Sequence, residues 1–291
     1  MTRQYEDHIL TTRGTVQENR HRVHAAIVDA GNNLLLAVGD PERVTLVRST
    51  IKPAQALAIL ETGALSPATD PAFTAADLAL VCASHSSEDR HARVRSVVED
   101  LCGLSGDQVL WAVDGCNLPA PAVPLRNLAM TFARFAAAAD EVAQTPVGAA
   151  TTAPSARTEK MARIYHAMAQ HPEMVAGEGR FCTILMELFG GALIGKLGAD
   201  GCYAIGIRES EHTRRLGAKG ALGLAVKIED GSIEILYTAV VEILLQLGIE
   251  MPPGREELLK FHQLKRKNTW GVETGIVTPV FKVRAAEAGE V

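Results

Sequence analysis

The chain has little of what would mark several protein classes. Its five cysteines, Cys82, Cys102, Cys116, Cys182 and Cys202, contain no Cys-x-x-Cys pair and are odd in number. That pattern suits reduced thiols in a cytoplasmic protein and predicts no disulfide framework. Basic residues cluster only at Arg20-His21-Arg22 and Lys265-Arg266-Lys267, and 29 basic against 34 acidic residues give a net charge of −5. Nucleic acid is therefore disfavoured as the main partner. No apolar run approaches the ~20 residues of a membrane helix, and the residues after Met1 lack the apolar core of a secretion signal. A soluble protein without a membrane partner is expected. No internal repeat or low-complexity tract is evident.

What is present is enough apolar residue, 47% of 291, to bury a sizeable core. One composite domain over 1–291 is expected. Residues 22–29 and 33–38 flank Ala30-Gly31-Asn32 and read as a β-hairpin. Val44 to Val47 is a short extended piece, and Lys52 to Glu61 is a helix closed by Gly63. His91, Val94, Val97, Val98 and Leu101 recur at helical spacing, with Ser87 as the expected N-cap. Asp114 to Pro121 reads as a turn-rich connection, Leu125 to Ala138 as a helix, and Thr145 to Arg157 as an exposed loop or lid. Helices follow at 161–171 and 182–189. Strands are predicted at 202–208 and 222–228, a helix from Gly231-Ser232 to Leu247, and a last extended run at 275–283. The order predicts an α+β fold: an antiparallel sheet drawn from both chain ends (about 1–48 and 196–291) packed with a helical part (about 49–195), with a cleft between them.

Ser49 and Lys52 are three apart where a strand-like run meets a helix, a spacing that places both on one helical face. A serine hydroxyl is a poor nucleophile until a neighbouring amine takes its proton. Ser-x-x-Lys does this in serine acyl-transfer enzymes. The alternative is an N-capping serine with a solvated lysine. Pro53 fits the first helical turn but biases Lys52 away from helical angles.

Six segments carry a wider likeness: Arg48-Ser-Thr-Ile-Lys-Pro-Ala-Gln-Ala-Leu, Cys82-Ala-Ser-His-Ser, Asp114-Gly-Cys-Asn-Leu-Pro-Ala-Pro-Ala-Val-Pro-Leu, His171-Pro-Glu-Met-Val-Ala-Gly-Glu-Gly-Arg-Phe, Gly195-Lys-Leu-Gly-Ala-Asp-Gly-Cys-Tyr-Ala-Ile-Gly-Ile and Val226-Lys-Ile-Glu-Asp-Gly-Ser. In this order they resemble the rhizobial-type L-asparaginase family over nearly the whole chain. The resemblance implies a serine β-lactamase-like fold, a homodimer, and hydrolysis of the side-chain amide of L-asparagine to aspartate and ammonia. It implies Ser49 as nucleophile, Lys52 as its base, and Ser84 with Lys227 as a second serine–lysine pair serving the leaving group. Arg48 and the Asp114-Gly115 turn match polar pocket groups for the carboxylate and ammonium of an amino-acid substrate. His85 and Ser86 match neighbouring binding positions. Two lysines close together are expected to depress each other's pKa. The alternatives are structural: Lys227 at the solvated end of an edge strand, Ser84 in a turn, Asp114 in an ordinary Asp-Gly turn, and Arg180 at a helix start. His21 and His24 are expected to be structural.

The chain also departs from the family it resembles. Members carry an Asn-Asn-Cys-Ser-Gly-Lys-His motif before the Asp-Gly-Cys loop, whose cysteine and lysine bind zinc with the Asp-Gly-Cys cysteine. Here only Leu104 to Val113 lies in that interval, leaving Cys116 as the sole family ligand position, and Cys182 stands where the family usually has Asp. No metal and no other cofactor is expected. The missing segment keeps other readings open: another acyl-transfer or cyclisation reaction on an amino-acid-derived amide, or a non-catalytic homologue.

Overall fold

The structure, a computed structural model, describes residues 6–63, 65, 73–83, 91–115, 119–146 and 153–286. Its strands are β1 (His8–Arg13), β2 (Val16–Asp29), β3 (Leu34–Val38), β4 (Val44–Leu46), β5 (Leu110–Val113), β6 (Pro119–Pro124), β7 (Leu193–Gly198), β8 (Cys202–Ile207), β9 (Leu222–Ile228), β10 (Lys265–Lys267), β11 (Glu273–Pro279) and β12 (Arg284–Ala285). Its α-helices are α1 (Lys52–Glu61), α2 (Ala75–Val81), α3 (His91–Cys102), α4 (Leu125–Gln144), α5 (Ala156–Gln170), α6 (Pro172–Ala176), α7 (Phe181–Phe189), α8 (Glu211–Arg215), α9 (Ile233–Gln246) and α10 (Glu256–Leu259), with a 3-10 turn at Arg48–Ile51.

The fold is mixed α/β, and its large sheet does draw on both chain ends. Strands run in the order β10-β11-β1-β2-β9-β8-β7, with β3 on β2 and β12 on β3, and every pairing is antiparallel. The long β2 makes this possible. Its first half pairs with β1, while its second half pairs with β3 on one side and β9 on the other. A smaller sheet, β4-β6-β5, lies apart.

Register organises everything above the large sheet. Residues directly opposite each other in an antiparallel pair share a face, and that face recurs every second residue. Ile194, Gly206, Gly223 and Val28 form one such row, Lys196, Ala204, Ala225 and Ala26 the next, and Gly198, Cys202, Lys227 and His24 the third. The first row seats α4. A Cβ on Gly223 would lie 1.9 Å from the Ala129 carbonyl oxygen, and one on Gly206 2.3 Å from that of Phe132, so only glycine admits the helix backbone. The opposite face of β8 and β9 is covered by α9, and β9 is buried along its whole length.

Three expectations change, and one alternative is excluded. The helix from Leu125 runs to Gln144 rather than Ala138 and is a core element, with Leu128, Phe132 and Phe135 fully buried. Lys227 sits on an inner strand, not at an edge. The Pro-rich stretch after Asp114 contains β6, the middle strand of the small sheet; a proline strand lacks N–H donors but still accepts through its carbonyls, as Pro121 does from the Val47 N–H at 3.0 Å. An additional strand, β7, precedes the first one expected in the C-terminal third. Its glycines hide strand propensity. They are required because a Cβ on Gly195 would meet the Tyr203 hydroxyl at 2.8 Å and one on Gly198 the Val47 oxygen at 2.6 Å. The proposed Ser87 cap and residues 147–152 of the expected lid lie outside the described residues.

Candidate active site

Below the third row of the sheet sits the Arg48–Ile51 turn. The chain enters it from β4 with Arg48 at φ 54°, a left-handed conformation that strains a non-glycine residue. Val47 holds this entry on two sides. Its N–H donates to Pro121 of the small sheet, and its carbonyl accepts from the Thr50 N–H at 3.2 Å and the Thr50 hydroxyl at 2.5 Å. The Lys52 N–H donates to the Ser49 carbonyl, closing a 3-10 turn before α1 begins. In a 3-10 turn residues three apart eclipse. Ser49 and Lys52 are therefore brought to one face, as expected, although the first hydrogen bonds are of the tighter type. Lys52 adopts ordinary right-handed helical angles despite Pro53 and is 8% exposed, so its stem lies within the core rather than in solvent.

Lys227 lies in the row beneath. Its ammonium donates to the carbonyls of Asp200 and Ile228, both at 2.6 Å. Burial lowers its pKa and the Arg43 cation lowers it further. No second lysine figures among those causes, contrary to the expectation of mutual depression. The row neighbour Cys202 has its thiol pushed up to about 12 by burial, with the Thr50 hydroxyl against it. At the far end of the row His24 accepts from the Asp40 N–H through Nδ1 at 3.0 Å, and its Nε2 lies 3.0 Å from Glu229. Arg43 grips the same carboxylate with two hydrogen bonds, at 2.7 and 2.9 Å, and holds Glu229 down at about 2. His21 contacts Asp230 at 2.5 Å. Both histidines thus serve the scaffold.

Arg48 reaches across the turn. Its Nη1 is 3.1 Å from the Asp200 carboxylate, and its Nη2 would be 3.9 Å from a Cβ on Gly115. The Asp114-Gly115 turn and Arg48 are accordingly brought together. Asp114 follows β5 and is half-buried. Ser84, His85, Ser86 and Cys116 lie outside the described residues.

One lysine was missed as a site candidate. Lys196, on β7, occupies the middle row between the α4 seat and the Arg48–Ile51 turn, opposite Ala204. It is 4% exposed, and burial lowers its pKa, offset in part by the Cys182 and Cys82 thiols. Cys82 itself is pushed up to about 12 by burial. Cys82, against which Lys196 lies, is two residues before Ser84 in the sequence. Strand spacing puts the Cα atoms of Lys196 and Lys227 roughly 12 Å apart, two strands across and two residues along, so the two are separate cations. The signal in the sequence was the Gly195-Lys196-Leu197-Gly198 block itself: a lysine between two glycines in a run that alternates small and apolar residues.

The chain matches the family model described as L-asparaginase II over residues 9–95 and 92–279. It belongs to the L-asparaginase II family. No curated protein matches it. The two matched segments meet inside α3. Among the described residues no three His, Cys, Asp or Glu side chains are gathered as a metal site. Cys116 lies outside the described residues, and no chemical step is routed through a metal.

Proposed function

We propose that the protein hydrolyses the side-chain amide of L-asparagine, or of a closely related small amide, through a Ser49 nucleophile activated by Lys52. The observation that carries this reading is the 3-10 turn that sets Ser49 and the buried Lys52 on one face, in a member of the L-asparaginase II family. Ser49 Oγ attacks the amide carbon as Lys52 takes its proton. The tetrahedral adduct collapses by breaking the C–N bond, and the nitrogen leaves as ammonia once it has gained a proton. Water then attacks the acyl-serine, its hydroxyl going to the acyl carbon and its proton restoring the leaving-group relay, while Lys52 returns its proton to Ser49 and aspartate is released. Ser84 with a second lysine delivers the leaving-group proton. Lys227 is the partner implied by resemblance; Lys196 suits the role better, because Lys227 is held by two 2.6 Å bonds to carbonyls that cannot take a proton, whereas Lys196 makes one longer bond, to the Leu197 carbonyl at 3.3 Å, and is buried beside Cys82. Arg48 receives the substrate carboxylate and Asp114 its ammonium, with His85 and Ser86 alongside.

The same reading includes a single β-lactamase-like domain, a cytoplasmic location and a homodimer. Exposed Val16, Trp270, Val272 and Ile276 support a contact surface away from α4. No described helix is long and apolar enough to cross a membrane. The shortened segment before Asp114 supports a second reading in which a larger amide, rather than asparagine, is the substrate. Ammonia release from asparagine, glutamine and small amides separates the two. Ser49→Ala and Lys52→Ala should each lower kcat by about 10³-fold or more while leaving the thermal transition in place. Near-full activity in either variant would remove the assignment.

A further inference from the structure

Three non-glycine residues among those described have a left-handed backbone: Asn32, Arg48 and Asp200. Asn32 turns the β2–β3 hairpin. The other two are joined to each other by the 3.1 Å ion pair beside the Arg48–Ile51 turn. Such a conformation persists only where the surroundings over-determine it, and it clusters where geometry matters to function.

Each of the two is fixed by different means. Arg48 is fixed through Val47, whose N–H and carbonyl are both engaged. Asp200 is fixed through its own carbonyl, which accepts from Lys227 Nζ, and through Gly201, whose carbonyl accepts from the Ile228 N–H at 2.8 Å. The second Lys227 bond, to Ile228, ties the ammonium to the same turn. A continuous chain results: Lys227 holds the Asp200 backbone, and the Asp200 carboxylate holds one edge of the Arg48 guanidinium. A guanidinium is a rigid planar fork, so fixing one edge aims the other. Here the other edge, at Nη2, faces the Asp114-Gly115 turn.

We propose that Asp200 and Lys227 are positioning residues that aim Arg48, and through it set how tightly the site holds the carboxylate of an amino-acid amide. This rests on the assignment of Arg48 to the substrate carboxylate. The Asp200 side chain is 68% exposed, so the ion pair adds little to folding. Its loss should be read in substrate binding instead.

The test uses Asp200→Asn and Asp200→Gly, both of which accept a left-handed backbone, together with Lys227→Met. Two ligands are compared: L-asparagine, and 3-aminopropanamide, which keeps the amide and amine but lacks the α-carboxylate. Both Asp200 variants should raise KM for asparagine about tenfold with kcat within about twofold, the signature of lost ground-state binding. Affinity for 3-aminopropanamide, as KM or Ki, should not change. Lys227→Met should show the same split. A fall in kcat without a rise in KM, or equal weakening of both ligands, overturns the proposal; loss of kcat in Lys227→Met alone makes that lysine a proton carrier instead. If Lys227→Met does not fold, the Asp200 variants decide. A second measurement does not depend on turnover: the Arg48 Nε–H resonance, identified by its disappearance in Arg48→Lys, should shift in the Asp200 and Lys227 variants. Should the wild-type protein release no ammonia, the proposed function fails while a shifted resonance still supports the positioning; a resonance unmoved in every variant overturns the positioning whatever the activity.

Discussion

The Arg48–Ile51 turn is held between two sheets of opposite character. On one side lie β7, β8 and β9, inner or shielded strands whose residues are almost all buried and whose glycines bring other backbones to within touching distance. On the other lies the β4-β6-β5 sheet, three short strands of which β5 leaves Leu110 59% and Val113 69% exposed. Val47 touches both: its N–H is bonded to β6, and its carbonyl lies where a side chain at Gly198 of β7 would be. The contrast teaches that the large sheet constrains the turn by steric necessity, while the small sheet feeds into it through β4 and engages it through the Val47–Pro121 hydrogen bond.

Four substitutions can break or sharpen that contrast. The largest effect is expected at the α4 seat. Gly223→Ala places a methyl 1.9 Å from the Ala129 oxygen, and the forced separation of helix and sheet should cost about 3 kcal/mol or more, read as a urea midpoint shift at unchanged slope. An unaltered midpoint would mean the helix is not seated there. Next comes Gly198→Ala, whose Cβ would meet the Val47 oxygen at 2.6 Å. It should displace the turn and lower kcat about 10–100-fold, since a shift near 1 Å in a reacting group has that effect. Stability should fall less than in Gly223→Ala, and comparable losses in both would erase the distinction between seat and site.

A smaller effect concerns the scaffold row ending at His24 and Glu229. Arg43 lowers the Glu229 pKa from an ordinary 4.5 to about 2. A depressed carboxylate contributes stability that is fully present above its unfolded value and is lost as pH falls toward the folded one. Thermal stability should therefore decline between about pH 5 and 2. Glu229→Gln should flatten part of that decline, modestly because the side chain is half-exposed. A melting series giving superimposable slopes for the two proteins would count against this. The smallest effect belongs to the thin sheet: Val113→Thr on exposed β5 should change stability by less than about 0.5 kcal/mol. A change several times larger would show that this strand is covered in solution.

Much of the chain could be read directly from its residues. The hairpin around Gly31, the Ser232-capped helix α9, and the Gly63 and Gly103 helix ends all declare themselves within a dozen residues, because capping, turn chemistry and periodicity are local. The same holds for Ser49 and Lys52, since three-residue spacing on a helical turn fixes a shared face. The six ordered motifs led to the family, which the family model shows.

Only the tertiary structure decided the rest. That Gly198, Cys202, Lys227 and His24 stand in one row, that Lys196 lies one row nearer α4, and that Asp200 meets Arg48 all depend on pairings between residues far apart in sequence. Strand register carries no local signature, because a shift of one residue turns every side chain to the other face without altering composition or period. The glycines of β7, β8 and β9 illustrate the limit: in the sequence they weaken the case for a strand, and in the fold they are what lets α4 and the Arg48–Ile51 turn approach it.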